Sequence, residues 1–531
     1  MSYAVIDESG PVPRVTFPHP YNAAVDLVDR HVAAGRGGRI AIRDDVTAAT
    51  YAELAERIDR AGNALRALGV RREERVVLAM LDTVDFVSVF LGAMKLGAVP
   101  VPLNTLLRPA DYSYLLRDTR ARVVVVSDHL LEKLGPAIES APALAHVVTA
   151  ATPLGGDRGE SARLEDLLAA APRELAAADT SADDVAFWLY SSGSTGAPKG
   201  ALHLHSHLAW THALYGRGVL GVREDDIVYS AAKLFFAYGL GNALTFPLSA
   251  GATAVLTAER VTPAVVARVF RERAPTIFCG VPTLFASLLA DASAEAPMIA
   301  PSVRVSISAG EALPRHVGEK WRHRFGTDIL DGIGSTELLH IFLSNRHGDV
   351  RYGTSGKPVP GYELALRGDD GEPVEDGVEG SLWVRGPSAA IGYWNQREKS
   401  LATFHGPWTR TGDRYVRDSD GFFTYSGRSD DMLKVGGIWV SPFEVESALA
   451  AHDAVLEAAV VGRPDGDGLV KPRAFVVLHD RAAACEALES ELKSFVKASL
   501  APYKYPRWID FVVELPKTAT GKIQRFRLRG A

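Results

Sequence analysis

The chain has 531 residues, of which 47% are hydrophobic, 23% charged and 8% aromatic. A chain of that size holds roughly three to four folding units around a large core, which excludes collagen, disorder and a small disulfide scaffold. Its 58 Lys and Arg against 64 Asp and Glu leave a net charge of −6, which argues against a dedicated nucleic-acid binder with a basic face.

The N-terminus carries Asp7 and Glu8 ahead of any basic side chain and lacks an apolar run, so no signal peptide is expected. Residues 1–20, rich in Pro and Gly, read as a loose arm. From Tyr51, the positions Leu54, Ile58, Ala61, Leu65 and Leu68 step by three and four, which predicts an amphipathic helix. Residues 76–80 read as a buried strand, 84–96 as a helix and 99–102 as a short strand. The apolar stretch 84–103 is broken by Asp85, Lys95 and Pro100, so it is not expected to cross a bilayer. Four consecutive valines at 123–126 and the pair at 147–148 add buried strands. All-apolar strands alternating with helices predict a parallel α/β sheet.

Residues 151–185 read as a surface connection with a short helix. A second strand–helix series follows at 252–256, 261–273, 276–280 and 303–309, without a fixed-period repeat. From residue 359 the pattern turns strand-rich, at 362–367, 380–386 and 421–427, with Gly and Pro between, as in a small barrel or meander. The last block predicts a helix at 442–452, strands at 455–462 and 473–479, a helix at 485–500 and a strand at 508–514. The expected fold is therefore a large α/β N-terminal domain of sheet subdomains with a β-barrel-like part, residues 1–429. A small mobile α+β domain, 430–531, follows it. The polar segment 427–431 reads as the hinge between them, with an ordinary turn as the alternative. Only two cysteines occur, Cys279 and Cys485, far apart and without metal-ligand spacing, which fits a reducing, cytoplasmic setting.

The most informative string is Tyr190-Ser191-Ser192-Gly193-Ser194-Thr195-Gly196-Ala197-Pro198-Lys199-Gly200, which follows the apolar strand 186–190. Small hydroxyl residues and glycines let backbone N–H groups face an anion, and Lys199 adds charge. It is not a Walker loop, because Pro198 precedes the lysine and Gly200 follows it. A flexible Ser/Gly surface loop is the plainer reading of the same composition. Just beyond it, His203, His205 and His207 would share a face on a strand, but no Cys or carboxylate joins them as a metal set.

The loop resembles the phosphate loop of the adenylate-forming superfamily, which includes acyl- and aryl-CoA ligases, luciferases and peptide-synthetase adenylation domains. Four further segments agree in order: 334–337 (Gly-Ser-Thr-Glu), Tyr393-Trp394-Asn395 with Thr411-Gly412-Asp413, 427–437, and 516–522 ending in Gly521-Lys522. The resemblance runs from about residue 20 to the C-terminus. The strings 233–242 (KLFFAYGLGN) and 331–342 (DGIGSTELLHIF) are similar to the benzoate–CoA ligase branch.

That resemblance implies ATP, Mg²⁺ and coenzyme A as reactants, and a small aromatic carboxylate as the acid. It places the ATP phosphates on Ser192, Gly193, Ser194, Thr195 and Gly196, with Lys199 nearby. Thr336 would contact the α-phosphate and Glu337 would hold Mg²⁺; a helix-capping pair is the alternative for these two. Asp331, Gly332 and Ile333 would lie along the nucleotide, with Ile333 replacing the aromatic residue of many relatives. Asp413 and Arg428 would hold the ribose, though an isolated Thr-Gly-Asp is usually a turn. Lys522 would carry the catalytic charge, against the plainer reading of a solvated basic tail. Asp430 matches the hinge, and Gly436 and Gly437 the pantetheine path. Phe236, Ala237, Tyr238, Ala309, Gly310, Gly334, His340 and Ile341 match the acyl site, as a flat slot for a planar ring. His340 reads equally as a partner for a ring substituent or as a packed structural histidine.

The expected reaction is AMP-forming ligation of benzoate, or a close relative, to coenzyme A through an acyl-adenylate. The alternatives are an adenylation enzyme loading a carrier-protein pantetheine, a luciferase-like oxygenase, or a nucleotide-binding regulator without catalysis. The short stretch after Lys522 favours free coenzyme A over a carrier domain. A homodimer and a lysine acetyltransferase acting on Lys522 are further expected partners. Neither nucleic acid nor a membrane is expected as a partner.

Overall fold

The computed structural model describes residues 3–156, 161–191, 198–290, 302–428, 431–435, 438–466, 469–500, 504–517 and 523–529. The first sheet is all parallel, in the order Val99–Pro102, Arg75–Ala79, Val123–Ser127, His146–Ala150 and Ala162–Arg163. Its valine runs are buried on both faces, which is why they read as continuous apolar strings rather than alternating ones. The helix Tyr51–Ala67 begins at a capping box, in which Thr50 and Glu53 satisfy each other's backbone N–H. It packs on the helix Val84–Leu96 through paired glycines. A Cβ on Gly92 would lie 2.8 Å from the Gly62 nitrogen, so no larger residue fits that crossing.

The second sheet has nine strands, in the order Lys357–Pro358, Ile341–Ser344, Ile329–Gly334, Val305–Ser308, Ile277–Gly280, Ile227–Ser230, Thr253–Val255, Ile40–Arg43 and Ala48–Thr50. The six strands from Ile329–Gly334 to Ile40–Arg43 run parallel. The outer pairings are antiparallel. In open parallel sheets a ligand crevice forms beyond the carboxyl ends of the strands. Here those ends carry Ala309 and Gly310 after one strand and residues 331–334 in the next.

A five-stranded antiparallel sheet follows, built from Glu363–Arg367, Glu379–Arg385, Phe404–His405, Trp408–Arg417 and Phe423–Arg428. The last unit packs the helices Pro442–Ala450 and Glu486–Ser499 on the sheet Val455–Pro464, Val470–Leu478 and Trp508–Phe511. Its core has its own members, among them Val445, Leu449, Val460, Val476 and Leu492. Arg525 grips Glu446 through two hydrogen bonds of 2.9 and 2.6 Å, tying the tail to that core. The molecule is thus the mixed α/β body with a smaller C-terminal unit that the sequence predicts.

Two expectations need correction. Residues 1–20 are not a loose arm throughout: Val5–Asp7 and Arg14–Thr16 pair as an antiparallel ribbon, and Ala4 and Val15 enter the main core. Burial of those two side chains outweighs the Pro and Gly content. The three histidines do not share a strand face. The strand Lys199–Leu204 ends before His205, which starts the helix His205–Thr211. Among the described residues, no helix is long and apolar enough to cross a membrane.

Candidate functional site

The antiparallel strands Val185–Ser191 and Lys199–Leu204 are the two stems that flank the phosphate-loop string. Ser192, Gly193, Ser194, Thr195 and Gly196 lie outside the described residues, but both stems are placed. Pro198 is anchored through its carbonyl, which accepts from Gln396 Nε2 at 3.0 Å and Tyr114 Oη at 3.3 Å. The segment 391–394 adds to the open side of the second stem. Leu202 N donates to the Gly392 carbonyl at 3.1 Å and Trp394 N to the Gly200 carbonyl at 2.9 Å. This added edge holds Tyr393 over the stems. Lys199 Nζ lies 4.6 Å from the centre of the Tyr393 ring and 3.3 Å from its hydroxyl.

Tyr393 Oη in turn donates to Glu337 Oε1 at 2.8 Å, and Ser191 Oγ donates to the same oxygen at 3.3 Å. Burial, and then the Glu337 charge beside it, push the Tyr393 phenol well above its ordinary pKa, so it is a donor at any working pH. The loop bearing Thr336 and Glu337 is not a helix start, so the capping alternative is absent. It is a turn between the strands Ile329–Gly334 and Ile341–Ser344. Its backbone is tied down by Ala390 N to the Glu337 carbonyl at 2.7 Å and Ser388 Oγ to the Leu338 carbonyl at 2.7 Å.

The strand leading in carries Asp331, Gly332, Ile333 and Gly334. A Cβ on Gly334 would lie 2.6 Å from the His340 carbonyl, and one on Gly332 2.8 Å from the Leu343 carbonyl. The glycines therefore let this strand close against its antiparallel neighbour, where Gly332 pairs Ser344 and Ile333 pairs Leu343. Asp331 is buried, with Oδ1 lacking a hydrogen-bond partner among the described residues. Loss of solvent pushes its carboxyl up to about 8.

On the other side of the loop sits an aromatic box. His340 is buried, with its ring 4.5 Å from Phe246, 5.1 Å from Tyr215 and 5.9 Å from Tyr238. Gly241 makes room for it, since a Cβ there would lie 2.3 Å from the imidazole. The backbone of Tyr238 approaches the ring without completing a hydrogen bond, and neither ring nitrogen has a partner among the described residues. Burial lowers the imidazole pKa to about 3, so it is neutral. The Tyr238 hydroxyl is shared between the Gly280 and Ile307 carbonyls, both at 3.1 Å. Ala237 and Tyr238 lie in the short helix Ala237–Leu240, which starts after Phe236. The Phe236 ring packs on Phe235 at 4.3 Å. Ala309 is buried and Gly310 takes a φ of +97°, a turn that a side chain would strain. Ile341 is buried at the start of its strand.

Asp413 and Arg428 come together across the antiparallel sheet. They are register partners, and Arg428 Nη1 donates to Asp413 Oδ1 at 3.0 Å. Arg428 also lies near enough to Tyr393 to offset a small part of the rise in its pKa. Lys522, Gly436, Gly437 and Asp430 lie outside the described residues.

The donor set suits a hard cation held by one carboxylate and by substrate oxygens. Both described hydrogen bonds to the Glu337 carboxylate fall on Oε1, and Oε2 has none among the described residues. Among the described residues, no group of three or more His, Cys, Asp or Glu could hold a metal by itself. Magnesium is characteristically bound by one or two carboxylates plus phosphates, so the residues fit it.

Sequence reasoning did not assign Tyr393, Ser191, Tyr215 or Phe246 to the site. Tyr393 lay inside a quoted motif, yet nothing local links it to Glu337, 56 residues away. Tyr215 and Phe246 reach His340 only through helix packing.

Residues 29–394 match the model of the AMP-binding enzyme family, and 444–522 that of the AMP-binding enzyme C-terminal domain. The chain is 57% identical to a benzoate–CoA ligase of Thauera aromatica, over 99% of both sequences. It superposes on a benzoate CoA ligase from Burkholderia xenovorans LB400 with a TM-score of 0.89 at 54% identity, covering 96% of this chain and 100% of that one. The anthranilate CoA ligase AuaEII, solved with anthranoyl-AMP, superposes with a TM-score of 0.92 at 44% identity, covering 97% and 98%.

Proposed function

The chain belongs to the AMP-binding enzyme family, and from that premise we propose that it ligates benzoate to coenzyme A through a benzoyl-adenylate. The observation that carries this reading is one loop with two faces: a pinned carboxylate at Glu337 and, three residues on, an aromatic box at His340.

The first step joins two anions. A benzoate oxygen attacks the α-phosphorus of ATP, the bond to the β-phosphate oxygen breaks, and pyrophosphate leaves. The protein's task is to neutralise charge and align the reactants. Ser192 to Gly196 with Lys199 cradle the β- and γ-phosphates, and Thr336 takes the α-phosphate. Asp413, braced by Arg428, accepts from the ribose hydroxyls. Asp331 to Ile333 line the base. Mg²⁺ on Glu337, when bound, offsets phosphate charge as a Lewis acid. Lys522 brings an ammonium to the carboxylate and α-phosphate oxygens as charge shifts, a task suited to a point charge on a flexible stem. In the second step the coenzyme A thiolate attacks the acyl carbonyl and AMP leaves. Rotation about Asp430 would clear Lys522 from the site, and Gly436 and Gly437 would line the entering pantetheine. The division of the chain at 429/430 belongs to this reading.

The preference for an aromatic acid is read from the rings of Tyr215, Tyr238 and Phe246 gathered around His340, beside the loop that carries Glu337. Cytoplasmic work suits the two free cysteines. The test is product analysis with ATP, benzoate and coenzyme A. Pyrophosphate should form with benzoate, and AMP and benzoyl-CoA only when coenzyme A is added. ADP as product, or full turnover without the thiol, would sink the proposal.

A further inference from the structure

Three buried histidines follow the phosphate-loop string, and none has a part in the roles above. His205 is accounted for by structure: its Nδ1 accepts from Ala23 N at 3.1 Å, fastening an N-terminal turn. His203 and His207 do something different. They form a chain that ends on the active loop.

We propose that His203, backed by His207, is a positioning residue that sets the Thr336–Glu337 peptide for adenylate formation. The inference rests on the functional reading above. His203 Nε2 lies 2.8 Å from the Thr336 carbonyl oxygen, and its Nδ1 lies 3.1 Å from His207 Nδ1. The two residues are 0% and 3% exposed. The His203 ring stacks on Phe187, its cross-strand partner, at 5.3 Å. Burial holds both rings neutral. A carbonyl can only accept, so the His203 proton sits on Nε2 and Nδ1 is left as an acceptor. His207 Nδ1 accepts from Leu204 N at 3.3 Å, which holds its ring beside His203. The carbonyl alone sets the proton that matters: His203 carries it on Nε2, toward the Thr336 oxygen.

That carbonyl belongs to the planar peptide joining Thr336 to Glu337. Fixing its oxygen fixes the direction in which both side chains leave the backbone. The loop needs such a fix. It has no regular structure, and Leu339, two residues beyond Glu337, sits at φ +64°, a region a non-glycine adopts only when its surroundings impose it. The same carbonyl also accepts from Leu339 N at 3.2 Å, so His203 and the strained turn share one anchor.

The test separates positioning from mere support. His203→Leu should lower benzoate-dependent ATP–pyrophosphate exchange about 10- to 100-fold, the usual cost of losing an outer hydrogen bond to a metal-site group. It should leave thioester formation from supplied benzoyl-AMP near wild type. His203→Gln keeps an N–H at the Nε2 position and should restore most of the exchange. Equal loss of both steps in a folded His203→Leu enzyme would overturn the proposal. If His203→Leu does not fold, a folded His203→Gln enzyme as weak in exchange as an enzyme lacking Glu337 would overturn it. Imidazole nitrogen NMR of the wild type should show His203 protonated on Nε2, and a proton on its Nδ1 instead refutes the link to Thr336. Wild type without benzoate-dependent exchange would instead defeat the functional reading, while the nitrogen spectra still judge the link to Thr336.

Discussion

Glu337 and His340 stand three residues apart on one turn, yet their surroundings are opposite. Glu337 is half-buried and gripped by hydrogen bonds from Tyr393 and Ser191, with its backbone tied to Ala390. His340 is buried among Tyr215, Tyr238 and Phe246, and neither of its ring nitrogens has a partner among the described residues. The contrast separates two jobs. Where charge must be handled, polar groups are fixed before the substrate arrives, so no reorganisation is needed during reaction. On the proposed reading, the side that would recognise a ring has apolar walls, and the His340 nitrogens have no partner among the described residues.

The comparison breaks most severely at Glu337. Glu337→Gln keeps the shape and an acceptor oxygen but loses the charge. If the nucleotide face works through that charge, adenylate formation should fall on the order of 10²- to 10³-fold, the range for one lost electrostatic contact in a transition state. Thioester formation from supplied benzoyl-AMP should fall far less. Rapid-quench assays of the two half-reactions would show it, and an equal drop in both would mean that Glu337 supports the fold rather than the phosphates.

Tyr393→Phe is gentler, because it removes one hydrogen bond from Glu337 Oε1 and leaves the ring beside Lys199. The expected loss is about 10- to 100-fold in adenylation, with the apparent Mg²⁺ requirement raised, since an outer partner orients the metal-binding oxygen. Titrating Mg²⁺ at fixed ATP checks this. An unchanged Mg²⁺ response would separate Tyr393 from the carboxylate it touches.

Much of this molecule was legible in its sequence, for physical reasons that can be named. The valine strings at 123–126 and the stepped leucines after Tyr51 announce a parallel sheet and its covering helix, because burial on two faces and on one leaves different periodicities. The motif residues proposed for the site lie at strand ends, in the antiparallel pairs 185–204 and 408–428 and after the parallel strand 329–334, and short motifs mark such places. The chain's long-range contacts were not legible. His203 gave no sign that it would reach the carbonyl of Thr336, 133 residues on. The three histidines looked like one strand face only because the strand's end at Leu204 is set by the following helix. The Pro- and Gly-rich start looked loose because two buried residues, Ala4 and Val15, leave almost no compositional trace.

The acyl face gives the smallest but most diagnostic effect. His340 is held neutral, neither nitrogen has a partner among the described residues, and an unmatched buried polar group costs about 1–3 kcal/mol. His340→Leu, close in volume and apolar, should recover part of that cost and raise stability near pH 7. The pH dependence supplies an independent check. The folded-state pKa of His340 lies at about 3, below the ordinary 6.5. Between those values the unfolded chain binds a proton that the folded chain does not, so stability falls as the solution is acidified through that window. One such proton is worth about 1.4 kcal/mol per pH unit. Denaturant unfolding at pH 7 and pH 5 should therefore show a shallower acid loss in His340→Leu than in wild type. His31, His203 and His205, at about 4, His212, at about 3, and His207 and His316, also lowered by burial, add slope in both proteins. An identical slope would mean that the His340 ring already finds a partner, and that the two faces of the loop differ less than their contacts indicate.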